Sequence, residues 1–251
     1  MLYLWYIFFA LAPSLIWLLF FLRKDAHPES NRMVLRVFFY GILSAVFLWL
    51  ILKIERESLE SLSLFIGIPW VVLGSVVAAP VLEETAKYLV VRLSVIHHWE
   101  FDEPVDAMLY MIIAALGFTA TENLLYLIDG GRLLFESFLI ILIRFVGPIF
   151  LHALVSGLVG YYLALSFFHL KKRARLICQG LIMAMILHGL FNLSIIGIEG
   201  SLREMGGQLM IVNRPLFMIS AGVIIFLFIG LAIFVIYGFK KVKQLKSVCK
   251  M

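Results

Sequence analysis

Charge is what this chain has least of. Asp, Glu, Lys and Arg make up 15% of its 251 residues, against about a quarter in soluble domains, and no polar stretch is long enough to build an aqueous domain. Hydrophobic residues reach 63% and the mean hydropathy is +1.04, so a water-soluble enzyme is excluded. Cysteine is also scarce. Cys178 lies inside an apolar run and Cys249 in a basic tail, a placement that predicts no disulfide framework. Internal repeats, low-complexity tracts and flexible linkers are missing too, which leaves residues 1–251 to form a single integral-membrane domain. The surplus of positive charge gathers in Lys240, Lys241, Lys243, Lys246 and Lys250 behind an apolar segment. Lysines so placed signal topology and do not form a nucleic-acid patch.

What the chain has in quantity is apolar runs of bilayer length, about 20 residues each. Leu2 to Phe21 has no basic leader and no small-residue cleavage site, so it is read as a retained span. Further spans are expected at Val34 to Leu52, Leu64 to Val91, Val105 to Ile128, Gly147 to Phe168, Leu176 to Ile196 and Leu216 to Phe239. Leu133 to Val146 is too short to cross and carries Glu136 and Arg144, which suits an interfacial or re-entrant helix. The fold class is therefore an all-α polytopic membrane bundle of about seven transmembrane spans plus one short interfacial or re-entrant helix. Counting Lys and Arg in alternate connections gives 13 on one side and 6 on the other. By the positive-inside rule the N-terminus faces out and the C-terminus lies in the cytoplasm. Ala153 with Gly157 and Gly160 with Ala164 stand at i, i+4, which lets the fifth span approach its neighbours closely.

Against that apolar background a few polar residues stand out, because an ionised side chain at bilayer depth is costly unless paired or hydrated. The segment APVLEETAK places Glu83 and Glu84 at i, i+4 and i, i+3 from Lys87, with Pro80 upstream inviting a kink. GFTATENLLY carries Glu122 and Asn123; FLHALVSG carries His152; ILHGLFN carries His188 and Asn192 on one helix face. Counted along their helices, Glu83, Glu122, His152 and His188 lie roughly 20 to 28 Å from the cytoplasmic ends, nearly one layer. Carboxylates and imidazoles converging there suit hydrolysis: Glu deprotonates water, and His stabilises the oxyanion or protonates the leaving amine. Glu83, Glu84, Glu122, His152 and His188 are the candidate catalytic residues, with Lys87, Asn123 and Asn192 in support. Ser156 has no nucleophile motif around it. His152, His188 and one glutamate also match the His, His, Glu set of some zinc sites, a second glutamate serving as base. No HExxH run specifies that set, so cofactor-free hydrolysis is the leading form and a divalent metal such as zinc the alternative. A structural Glu-Lys cluster, a membrane scaffold or a transporter remain the competing readings of the same residues.

Four motifs in this order resemble the PrsW-type intramembrane proteases, bacterial site-1 proteases of anti-sigma factors. That group is related to CAAX prenyl endopeptidases and to APH-1-like proteins. APVLEETAK looks like the double-glutamate motif, GFTATENLLY like an F-x-x-x-E motif with Phe118 and Glu122, and HALVSG and HGLFN like the two histidine motifs. The motif-bearing core runs from about residue 64 to 196. The resemblance implies an endopeptidase in the bacterial plasma membrane, cleaving a membrane-anchored protein near its extracytoplasmic side. An anti-sigma factor is the implied substrate and glutamate-activated water the implied mechanism. The APH-1-like members imply the alternative of a non-catalytic scaffold.

Overall fold

The computed structural model describes residues 2–24, 29–54, 56–131, 133–205 and 208–245. Lys246, Cys249 and Lys250 of the basic tail lie outside them. The helices are α1 (Leu2–Leu22), α2 (Asn31–Ile54), α3 (Arg56–Ile66), α4 (Trp70–Val72), α5 (Ala79–Ser94), α6 (Pro104–Gly130), α7 (Leu134–Val146), α8 (Pro148–Phe168), α9 (Arg173–Gly200) and α10 (Arg214–Val242). A π-helical segment, Leu73–Ala78, joins α4 to α5 without a break. Among the described residues six helical segments are long and apolar enough to cross a membrane: α1, α2, α6, the α7–α8 pair, α9 with its preceding turn, and α10. The chain is thus a multi-pass, helical membrane protein.

The stretch from Leu64 to Val91 does not form one uninterrupted helix. α3 ends at Ile66, Gly67 takes a φ of +71°, and the chain restarts as a helix at Trp70 behind Pro69, which is extended at ψ 133°. Pro80 and the charges of Glu83, Glu84, Lys87 and Arg92 follow in the same helix, and this polarity separates it from the six apolar segments. A second departure from an all-helical reading is a short antiparallel hairpin, β1 (Leu202–Met205) with β2 (Gln208–Ile211), between α9 and α10.

α6 is the central helix, buried along most of its length and packed against α1, α2 and α8. Its start is fixed by Asp106, whose Oδ2 accepts from the backbone N–H groups of Asp102 and Glu103 at 3.0 and 2.7 Å, a helix N-terminal cap. Close crossings depend on glycine. A Cβ on Gly41 of α2 would strike the Ala114 carbonyl of α6, and one on Gly117 of α6 would strike the Phe38 carbonyl of α2. On the opposite side of α6, Gly160 of α8 sits against Ala107 and Met108, the close approach expected of small residues in membrane helices. α7 and α8 are separated by Gly147, whose ψ of −105° turns the chain. Trp17 of α1 locks that turn by stacking on Phe145 and Phe150, with ring centroids 5.3 and 4.5 Å away. Its indole N–H donates to the Phe145 carbonyl at 3.0 Å.

Candidate functional site

The double-glutamate motif is held in place by the helix that carries it. In the π-helical segment the carbonyl of Ser75 falls five residues before Pro80, where an N–H would normally meet it. Proline has none. The Asn192 side chain, arriving from α9, donates to that carbonyl at 2.7 Å and so satisfies a half-buried backbone acceptor. Gly189, one turn earlier on α9, lies so close to the Val76 carbonyl that any Cβ would clash. In HGLFN, the glycine and the asparagine thus fasten α9 against the segment leading into α5, and His188 is delivered to the acids as a consequence.

Glu84 is sealed inside this junction, its side chain fully buried. Its Oε1 accepts from Lys87 Nζ at 2.7 Å and from His188 Nδ1 at 2.9 Å, and its Oε2 receives the Ser156 hydroxyl of α8 at 3.5 Å. A carboxylate offers only lone pairs, so His188 carries its proton on Nδ1 and leaves Nε2 free. Lys87 also reaches His152 Nδ1 of α8 at 2.5 Å and lies 4.8 Å from the Phe118 ring centroid. An ammonium offers only donors, so in this arrangement His152 accepts at Nδ1 and carries its proton on Nε2. The two imidazoles meet edge to face, 4.6 Å apart.

Glu83 and Glu122 are the acids left open. Glu83 Oε2 is buried with no hydrogen-bond partner, and it lies 3.9 Å from His152 Nε2, 4.0 Å from His188 Nε2 and 3.8 Å from Lys87 Nζ. Glu122 Oε2 lies 3.3 Å from His152 Nε2 but lacks hydrogen-bond geometry to it and is likewise unsatisfied. The Glu122 side chain keeps 35% of its surface accessible and Glu83 12%, against none for Glu84. Both open acids face a pocket of about 100 Å³ lined also by Leu48, Leu52, Phe118 and Leu125.

Arg144 joins the cluster from α7, although the sequence marked it only as a charge in a short segment unsuited to crossing and as one count in the topology tally. Its Nε donates to Asn123 Oδ1 at 2.6 Å, and its Nη2 stands 3.7 Å from Glu122 Oε1. The signal for it was a basic residue in an otherwise apolar stretch. Asn123 points away from the pocket, donating to the Ala10 carbonyl of α1 at 3.4 Å, so it ties α1, α6 and α7 together behind Glu122. Asn192 likewise touches backbone. Ser156 is a donor to Glu84.

Glu83, His152 and His188 each present one ligand atom, all within 4.8 Å of one another. Zinc bonds of about 2.0–2.1 Å set tetrahedral ligands roughly 3.3–3.5 Å apart, so the two Glu83 contacts, at 3.9 and 4.0 Å, must shorten by roughly half an ångström and the widest separation in the set, up to 4.8 Å, by roughly 1.3–1.5 Å. The orphaned Glu83 oxygen is the buried anionic ligand such an ion needs. The Nδ1–Glu84 bond of His188 is the carboxylate support found behind metal-ligating histidines. His152 completes the set once Lys87 turns from its Nδ1. The donor set therefore fits a divalent cation.

The family model of the PrsW family intramembrane metalloproteases matches residues 29–233. The chain is 31% identical over 185 residues to Protease PrsW of Bacillus subtilis, covering 72% of this chain and 78% of the relative. It is similarly 31% identical over 185 residues to Protease PrsW of Geobacillus kaustophilus, covering 72% and 75%, and 28% identical to that of Clostridioides difficile, covering 73% and 76%. No solved structure matches. With four ordered motifs gathered around one buried polar cluster and the family model spanning most of its length, this chain belongs to the PrsW family of intramembrane proteases.

Proposed function

We propose that the chain hydrolyses a peptide bond in a membrane-anchored protein, near the extracytoplasmic side of the bacterial plasma membrane, with an anti-sigma factor as the candidate substrate. One observation carries the reading: two buried carboxylate oxygens without hydrogen-bond partners, on Glu83 and Glu122, face one pocket and lie within 4.0 Å of histidine Nε2 atoms. Native proteins leave few such groups unpaired, and here they come from two separate helices, α5 and α6, with the histidines arriving from α8 and α9. A divalent cation, when bound, would supply Lewis-acid activation of water and of the scissile carbonyl.

Glu83, His152 and His188 would hold that ion. Glu84 orients His188, and Lys87 bridges Glu84 to His152. Glu122, the most accessible acid, takes the proton of the attacking water as its oxygen bonds to the carbonyl carbon. It then returns that proton to the leaving amine as the C–N bond breaks. Arg144, 3.7 Å from Glu122 Oε1, holds that carboxylate in place. The contact of Lys87 with His152 Nδ1 favours a second form without metal, because it leaves an Nε2–H beside Glu122 and Glu83 to stabilise the oxyanion directly. A groove of about 870 Å³ between α2 and α5 shares Leu48 with the small pocket and offers a substrate segment a lateral approach. In this reading Trp70–Ser94 is the seventh crossing, the N-terminus is outside and residues 1–251 act as one domain.

Cleavage of a single-span substrate by purified protein tests the proposal, with chelation followed by zinc add-back separating its two forms. Activity lost on chelation and restored by zinc supports the metal form, and activity in demonstrably metal-free protein supports the direct form. A folded E83Q/E122Q protein that cleaves at the wild-type rate would defeat both, and would favour a scaffold.

A further inference from the structure

A second cleft lies between α1, α8 and α10, and none of its lining residues belongs to the polar cluster. Its volume is about 530 Å³, within the ~300–1,000 Å³ usual for small-molecule sites. Its walls are apolar and aromatic, with Trp17, Phe21, Phe150 and Phe239 facing one another. Among the described residues its charged lining is confined to Lys24, Lys240 and Lys243, and no acid lines it.

Sequence explains the asymmetry. α1 runs apolar to Leu22 and is followed by Arg23 and Lys24, while α10 runs apolar to Phe239 and ends in Lys240, Lys241 and Lys243. Both helices reach water at the same end of the bundle, so their lysines collect at one mouth of the cleft. Lys243 Nζ donates to the Lys24 backbone carbonyl, tying the two chain ends together, and the Lys24 ammonium sits 4.7 Å from the Phe20 ring centroid. A slot that is greasy along its depth and cationic at its mouth matches an amphiphile with one negative head. An apolar protein helix would leave three ammonium groups unused. A zwitterionic lipid would bring its own cation against them.

We propose that this cleft binds one anionic phospholipid from the leaflet at the lysine-bearing end, with an acyl chain along Trp17, Phe150 and Phe239 and the headgroup phosphate among Lys24, Lys240 and Lys243. The lipid would bridge the first and last helices of the bundle, which otherwise meet there through few polar contacts.

Native mass spectrometry of the detergent-purified full chain tests the assignment, using phosphatidylglycerol and phosphatidylcholine with identical acyl chains. Wild type should retain one phosphatidylglycerol with a preference of at least about tenfold, as expected when several lysines meet one anionic headgroup. K24Q/K240Q/K243Q, altered only at exposed side chains, should bring the preference close to one. A232W, which fills the cleft and keeps every lysine, should weaken retention of both lipids. Water-soluble glycerol phosphate at the lipid's concentration should not compete, since the headgroup alone lacks the apolar contact. Equal retention of the two lipids by wild type, an undiminished preference in the triple glutamine variant, or displacement by glycerol phosphate would each overturn the proposal. Monodisperse elution of each variant establishes that it is folded, and the wild-type lipid comparison decides the question even where a variant is not.

Discussion

Glu83 and Glu84 are neighbours in the chain, so about 100° of helix rotation separates their side chains, and that angle sends them into different surroundings. Glu84 turns into the junction of α5, α8 and α9, where Lys87, His188 and Ser156 occupy both its oxygens. Glu83 turns toward α6 and keeps an unsatisfied oxygen beside Glu122. Substitutions should therefore separate stability from chemistry. E122Q is expected to fold normally and to lower kcat by about 10²- to 10⁴-fold with little change in KM, as for loss of a general base. E84Q is expected to lose thermal stability as well as activity, because removing one partner of a buried ion pair costs on the order of 3–5 kcal/mol. Parallel melting curves and steady-state cleavage check both, and an E84Q protein as stable as wild type would contradict the positioning role. The sequence made Glu83, Glu84, Glu122, His152 and His188 conspicuous because each is polar in an apolar run. It could not rank the acids, since the ranking depends on a lysine rotamer and on histidines from two other helices. Arg144 was legible as a charge but not as a neighbour of Glu122, because that contact needs the left-handed turn at Gly131, φ +53°, to bring α7 back along α6.

At the scale of the element, helix length and polarity were readable and helix register was not. Leu64 to Val91 reads as one apolar span, yet Gly67 and Pro69 end one helix and begin another, and the new helix opens in π register. The register matters because it aims the Ser75 carbonyl at Pro80, and only Asn192 then supplies a donor. N192A should strand that carbonyl at a cost of about 1–3 kcal/mol, lowering both melting temperature and cleavage as His188 and the acids drift apart. P80A returns an N–H to the position that faces the Ser75 carbonyl. N192A in a P80A background should therefore cost clearly less than N192A alone, a coupling that a double-mutant cycle of melting free energies measures directly. Additive effects would show that Asn192 acts elsewhere. The α2–α6 crossing gives a second element-scale expectation. G117V drives a branched side chain into the Phe38 backbone, and because α6 carries Glu122, the variant should lose folded protein in detergent as judged by elution, whereas G222V, with open space around its glycine, should not.

For the whole molecule, orientation decides what the site can reach. α6, α8 and α9 carry Glu122, His152 and His188 at depths set by their lengths. If the 13-to-6 distribution of Lys and Arg orients the bundle, the pocket opens toward the extracytoplasmic half, where a membrane-anchored substrate leaves the bilayer. One geometric feature bears on whether the number of crossings is odd. The lysine-bearing ends of α1 and α10 meet at one pole through the Lys243–Lys24 contact. If Trp70–Ser94 is a seventh crossing beside the six apolar segments, the odd number puts the two termini on opposite sides. Single cysteines at Tyr3 and at Gln244, in a protein lacking Cys178 and Cys249, can be labelled with an impermeant maleimide in sealed cells. Tyr3→Cys should label from outside and Gln244→Cys only after the membrane is opened. Labelling of both from outside, or of neither, would mean an even number of crossings, and would remove Trp70–Ser94 from the membrane or turn α7 into a span of its own. Labelling of Gln244→Cys alone would invert the bundle, moving the pocket to the cytoplasmic half and excluding cleavage at the extracytoplasmic face.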